Sequence, residues 1–202
     1  AQFVTIYHEH FSYLSMIAVK NVFETNGMHI FDVELIETHG GSLRVFAERA
    51  DRVDIRAESK AVSELLCSER VGGYMAYQAY SGFQITAEKV KDELIEFLIK
   101  AKRDGKSVCA FGAAAKGNTF INFAGIRPDL IQAVADSNPA KQGKFMPGSR
   151  IPIVSELALA NYKPDYVVIL PWNIKEEICS LLSYMRAWDC KFVVGIPNLE
   201  IL

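Results

Sequence analysis

Cysteine is sparse in this 202-residue chain. Cys67, Cys109, Cys179 and Cys190 stand far apart and form no Cys-x-x-Cys pair. That spacing supports neither a disulfide framework nor a zinc site, and free thiols in a reducing cytoplasm are the expectation. Cationic charge is not in excess either: 22 Lys and Arg face 24 Asp and Glu, for a net charge of -2. A general attraction to nucleic acid or to an anionic membrane is thereby excluded. No apolar run approaches the roughly 20 residues that span a bilayer. The opening Ala-Gln-Phe-Val-Thr has no basic or apolar leader pattern. Internal repeats and low-complexity stretches are absent.

Half of the residues are hydrophobic and 23% are charged, an ordinary balance for a globular chain long enough to bury a substantial core. Only four histidines occur, and two of them fall in Tyr7-His8-Glu9-His10. Histidine is the side chain that most readily moves a proton near neutral pH. A neighbouring carboxylate can orient it, and a phenol can hydrogen-bond a developing oxyanion. An exposed polar turn before a helix is the other reading of the same residues.

Periodicity organises the rest. Apolar residues at Leu14, Ile17, Ala18, Val22 and Phe23 predict a helix over 11–26, closed by Asn26-Gly27. Alternation over Met28–Glu37 and Leu43–Glu48, around Thr38-His39-Gly40-Gly41-Ser42, predicts a β-hairpin. Tyr74, Tyr77 and Tyr80 recur at helical spacing and are expected to pack on a neighbour. Thr86 reads as the N-cap of an amphipathic helix over 87–103.

From Lys106 onward strands alternate with helices. Strands are expected at 107–111, 130–135, 166–170 and 191–196, and helices up to Gly125 and at 156–161 and 175–188. Repeated β-α units imply a doubly wound parallel sheet of the α/β class. Ligands bind such sheets at the carboxyl ends of the strands. Gly112–Thr119, Asp136–Ser149 and Pro171-Trp172-Asn173 fall there. Gly112, Gly117 and Lys116 suit an anion at a helix N-terminus, with Asn118 and Thr119 as further donors. A tight turn with a solvated lysine also fits. The stretch is no Walker A motif, since Asn118 stands where the lysine belongs. It is an imperfect G-x-G-x-x-G, since Ala114 replaces the middle glycine, although Asp136 lies about 20 residues on, where a ribose acid belongs. That imperfection argues against a nicotinamide-dependent oxidoreductase.

In order along the chain come Tyr7-His-Glu-His-Phe-Ser-Tyr13, Thr38-His-Gly-Gly-Ser-Leu-Arg44, Phe111-Gly-Ala-Ala-Ala-Lys-Gly-Asn-Thr119, Asn138-Pro-Ala-Lys-Gln-Gly143, Pro147-Gly148 and Pro171-Trp-Asn173. The series resembles the sugar C-methyltransferases, which use S-adenosylmethionine to methylate nucleotide-linked keto-deoxysugars. The resemblance covers nearly the whole chain. It implies a zinc-binding N-terminal region and a cofactor-binding methyltransferase domain upstream of Tyr7. The S-adenosylmethionine site would then lie mostly outside this chain, which alone would be inactive and would not bind the cofactor.

Residues 1–56 would be the helix and hairpin tail of a class I methyltransferase domain, 57–85 a connection, and 86–202 a Rossmann-like domain. The first of these is too small for independent stability and is expected to pack on residues further along. His10 would be the base that removes a proton next to the sugar ketone. Glu9 would orient it, Tyr7 would hydrogen-bond the oxygen, and His8 would be structural. Arg44, Lys116, Asn118, Thr119, Trp172 and Asn173 would contact the substrate. Arg44 has a second reading, a pair with an acidic neighbour. No resident metal, nucleic acid polymer or membrane is implied. A non-catalytic nucleotide or nucleotide-sugar binding module is the alternative function.

Overall fold

The computed structural model describes residues 3–36 and 41–202. They form two compact units, one of residues 11–83 and one that joins 3–10 to 84–202.

In the first unit the helix α1 spans Met16–Thr25 rather than starting at Phe11. Ser15 sets the start: its Oγ accepts the Ala18 N–H at 3.2 Å. The Glu69 carboxylate accepts the N–H groups of Met16 at 2.6 Å and Ile17 at 2.8 Å. Those three bonds satisfy donors that a helix start leaves without intrahelical partners. Strands β1 (Met28–Ile36) and β2 (Ser42–Arg49) pair antiparallel, with a bulge between Ile30 and Asp32. The turn residues Thr38, His39 and Gly40 lie outside the described residues.

Helix α2 (Lys60–Val71) closes over the hairpin. Its cap, Ser59, donates to Asp32 at 2.6 Å and accepts the Val62 N–H. Met16, Ile30, Val33, Val62 and Leu66 form the small core. The tyrosine stripe is not buried, and Tyr74 and Tyr80 lie against each other, with ring centroids 6.2 Å apart and the Tyr80 hydroxyl donating to the Tyr74 carbonyl. Tyr74, Tyr77 and Tyr80 are 48%, 78% and 52% exposed. Gly72 and Gly73 end α2 just before them, and α3 (Gln78–Ser81) is a single turn, so no sustained helix carries the stripe.

The second unit is built on a six-stranded sheet ordered β5-β4-β3-β6-β7-β8. The strands are β3 (Val108–Phe111), β4 (Val134–Ala135), β5 (Ile153–Val154), β6 (Tyr166–Ile169), β7 (Lys191–Val194) and β8 (Glu200–Ile201). All neighbours run parallel except β8, which lies antiparallel to β7. Counted within this sheet the order is 3-2-1-4-5-6, the Rossmann arrangement. Strand alternation explains the two layers. Val108 and Ala110 face α4 (Phe83–Arg103) and α5 (Ala115–Phe123), whereas Cys109 and Phe111 face α6 (Glu156–Tyr162) and α7 (Lys175–Leu181). Burial pushes the thiols of Cys109 and Cys190 up to about 12 and about 11, so both act as packing groups. At the opposite strand ends, Asp165 accepts from the Ser107 N–H and Lys106 Nζ, each at 2.8 Å, and ties the start of β3 to that of β6.

Several elements depart from the periodicity. α4 begins before Thr86, which therefore lies inside the helix. The run 130–135 contracts to a two-residue strand because Leu130 and Ile131 still turn back on the Arg127 carbonyl. The helix expected over 175–188 breaks at Leu182 into a 3₁₀ segment, Ser183–Trp188. The boundaries expected at 56 and 85 also differ from these units. Residues 57–71 belong with the hairpin, because α2 completes its core. Residues 3–10 belong with the Rossmann unit, because Phe3 and Val4 are buried and the Phe3 ring sits 5.7 Å from Phe120 and 5.0 Å from Phe123. Among the described residues no helix is long and apolar enough to cross a membrane.

Candidate functional site

The strand order reverses between β3 and β6, so their carboxyl ends open the crevice where a doubly wound sheet takes its ligand. Gly112 ends β3 at φ +95, and a Cβ there would lie 2.4 Å from the Pro171 ring. A Cβ on Gly117 would lie 2.8 Å from that of Leu170. These two glycines therefore let α5 and its entry turn press against the end of β6. Ala114 is the N-cap residue of α5, with no side-chain cap. Lys116, Asn118 and Thr119 consequently lie on the first turns of the helix, not in a loop. Asn118 accepts from Asn122 at 3.1 Å, one turn in from the cap.

Two sets of polar groups flank this helix start. On one side Lys116 Nζ lies 3.3 Å from Asn173 Oδ1 and 5.7 Å from the centre of the Trp172 ring. Burial lowers the pKa of this lysine. The Trp172 indole N–H is buried and has no hydrogen-bond acceptor among the described residues. Three of the expected substrate residues thus converge.

On the other side a cavity of about 510 Å³ opens between the first turn of α5 and the 140–147 segment. Tyr7 and His8 form part of its wall, with Asn118, Thr119, Lys141 and Lys144. Lys116 is not among its lining residues. Lys141 Nζ donates to the Ala113 carbonyl at 2.9 Å and to Asp136 Oδ2 at 3.0 Å. Asp136, 8% exposed, also accepts the Asn138 N–H at 2.9 Å. Its carboxylate therefore braces the loop after β4.

Within the N-terminal motif, the His10 N–H bonds back to the Tyr7 carbonyl at 2.9 Å, and the two rings lie 4.5 Å apart. Glu9 reaches His8, at 3.9 Å, in an exposed pair. His8, read from sequence as structural, is the histidine on the cavity wall. Arg44 pairs with Glu34 at 2.8 Å, directly across the hairpin, and belongs to the 11–83 unit. That matches the acidic-neighbour reading of Arg44. Lys141 was legible in sequence only as part of a charged loop, and its contact with Ala113, 28 residues away, is what gives it a place at the site. Among the described residues no three His, Cys, Asp or Glu side chains come together as a metal site requires.

Residues 37–197 match the family model of the C-methyltransferase C-terminal domain. Over 201 residues the chain is 36% identical to C-methyltransferase NovU of Streptomyces niveus, a match covering all of this chain and 47% of that protein. The chain therefore spans about half the length of the curated relative.

Proposed function

Since the chain belongs to the C-methyltransferase family, through that family's C-terminal domain, we propose that it forms the substrate-side part of an S-adenosylmethionine-dependent enzyme. Its substrate is a nucleotide-linked keto-deoxysugar, methylated at a carbon next to the ketone. The observation that carries this reading is the seating of Tyr7 and His8 on the wall of a cavity at the carboxyl ends of the Rossmann strands.

Proton removal from a carbon next to a ketone is the step these residues suit. His10 is the base, and the Tyr7 hydroxyl donates to the oxygen on which negative charge builds. Their ring centroids lie 4.5 Å apart, a spacing that supports acceptor and donor serving one reacting fragment. Glu9 tunes the motif by its charge, through His8. Lys116, Trp172 and Asn173 group on the other side of the α5 start, outside that cavity, and would meet the substrate there. The enolate carbon is then the nucleophile for methyl transfer, chemistry that S-adenosylmethionine supplies when bound. The cavity itself does not suit that cofactor, because Lys141 and Lys144 repel a sulfonium and favour an anion.

The test is exchange of the substrate's α-proton in deuterated buffer, with methyl transfer as the second readout, in the protein that joins this chain to its cofactor-binding half. His10→Ala should lower kcat by about 10²–10⁴, the usual worth of a positioned base. A rate within about twofold of wild type would remove His10 from that role. The exposed setting of Glu9 and His10 favours a second reading, a nucleotide-sugar binding module. Under it, tight nucleotide-sugar binding would persist with no exchange in any variant or in wild type.

A further inference from the structure

We propose that Phe3 is a positioning residue: through its seat on Phe120 and Phe123 of α5 it sets Tyr7-His8-Glu9-His10 against the cavity that the same helix borders. The proposal rests on the proton transfer argued above for Tyr7 and His10. Its ground is an asymmetry of burial between residues 3 and 16. Phe3 and Val4 are 6% and 1% exposed, and the next buried side chain along the chain is Met16. The motif therefore lies on a stretch that carries no buried side chain of its own.

The upstream anchor is aromatic. The Phe3 ring meets Phe120 edge-on, with centroids 5.7 Å apart, and Phe123 at 5.0 Å. Ring pairs at such distances add to what burial alone supplies. Phe120 is 3% exposed and packs closely on Gly195, where a Cβ would stand 2.8 Å from the ring. The seat is thus part of the core and not a surface contact.

Short turns carry this fixed point to the motif. The Ile6 N–H donates to the Phe3 carbonyl at 3.0 Å, the Tyr7 N–H to Thr5 at 3.1 Å, and the His10 N–H to Tyr7 at 2.9 Å. A turn of a few residues has little stability of its own in water, so the series depends on the anchor at its head. Helix α5 completes the arrangement. Its first turns place Asn118 and Thr119 on the cavity wall with Tyr7 and His8, and its second half holds Phe3. One element fixes both the wall and the residues that act beside it. After His10 the chain passes into the 11–83 unit, where Ser15 and Glu69 hold the start of α1. That anchor belongs to the other unit, which leaves Phe3 to register the motif on the cavity.

The experiment combines steady-state kinetics with the imidazole resonances of His8 and His10, each assigned by its own substitution. It uses the protein that joins this chain to its cofactor-binding half. Phe3→Ala should move both resonances toward those of free histidine and lower kcat about a hundredfold, the cost of a misplacement near 1 Å. KM should change by less than about threefold. Phe3→Met keeps apolar bulk and a sulfur that packs on aromatic rings, so it should restore the resonances and hold kcat within about fivefold of wild type. Leu159→Ala, a deletion in the opposite layer of the sheet, should lower Tm but leave the resonances in place and kcat within about twofold. Phe123 is 39% exposed, so Phe123→Ala should fold even where Phe3→Ala does not. It should displace the same resonances and lower kcat about tenfold.

Resonances unmoved in folded Phe3→Ala, or in Phe123→Ala if the former does not fold, overturn the proposal. Displaced resonances with kcat within about twofold of wild type also overturn it. So does a loss of kcat in Leu159→Ala equal to that in Phe3→Ala. If wild type neither exchanges the α-proton nor transfers methyl, displaced resonances uphold the anchor, and only the methyl-transfer reading falls.

Discussion

Replacing Glu69 isolates the contact that holds the 11–83 unit closed. Glu69 is 9% exposed, and its carboxylate accepts two backbone N–H groups, at 2.6 and 2.8 Å, from the first turn of α1. A hydrogen bond to a charged group contributes about 1.5–3 kcal/mol, and a buried donor left unpaired costs about 1–3 kcal/mol. The two bonds share one carboxylate and are not additive, so Glu69→Ala should destabilise this unit by roughly 2–4 kcal/mol. Glu69→Gln keeps one acceptor and the shape but removes the charge at the helix start, and should cost about 1–2 kcal/mol. For a unit of this size 1 kcal/mol moves Tm by about 4–8 °C. Glu69→Ala should therefore lower the midpoint of the corresponding transition by at least roughly 8 °C. Urea and thermal denaturation followed by far-ultraviolet circular dichroism read both quantities. A Glu69→Ala change below about 0.5 kcal/mol would refute the argument, since Ser15 or water would then be satisfying those donors.

Asp165 gives a pH-dependent test. The hydrogen bond from Lys106, then that from the Ser107 N–H, hold its carboxyl below the ordinary carboxylate pKa. Its contribution is therefore present above the unfolded-state value near 4 and is lost as pH falls through the lower folded value. Asp165→Asn should be less stable than wild type at pH 7, and the gap should shrink as denaturation is measured below about pH 4. Gly117→Ala should destabilise by about 1–3 kcal/mol, although alanine is the better helix former, because the new methyl meets Leu170 at 2.8 Å. A stabilised Gly117→Ala would contradict that packing. Arg44→Ala should change stability by no more than about 1 kcal/mol, because its pair with Glu34 is solvent-exposed.

Much of the Rossmann half was legible because its strands are continuous apolar runs. Val108–Phe111, Tyr166–Ile169 and Lys191–Val194 lie where hydrophobicity puts them. The two-residue strands β4 and β5 carry too little pattern to be delimited, and their pairing comes from neighbours distant in sequence. Helix α2 escaped because its apolar face, chiefly Val62 and Leu66, is interrupted by charge, and its cap bonds to Asp32, 27 residues away. The site divided in the same way. Tyr7, Lys116, Trp172 and Asn173 were recognisable as residue types in suggestive positions. The direction in which Lys116 turns, the bracing by Lys141 and the place of His8 on the cavity wall depend on contacts that local spacing does not encode.

The abutment of Gly112 and Pro171 ties two distant stretches of the chain to one substitution history. A side chain at 112 has no room while a proline ring stands 2.4 Å from its first carbon, and φ +95 penalises it independently. A flatter or smaller residue at 171 would relieve the first conflict but not the second. Any descendant sequence that abandons glycine at 112 must therefore reshape the exit of β3 and the exit of β6 together, so drift at these two positions should arrive in pairs.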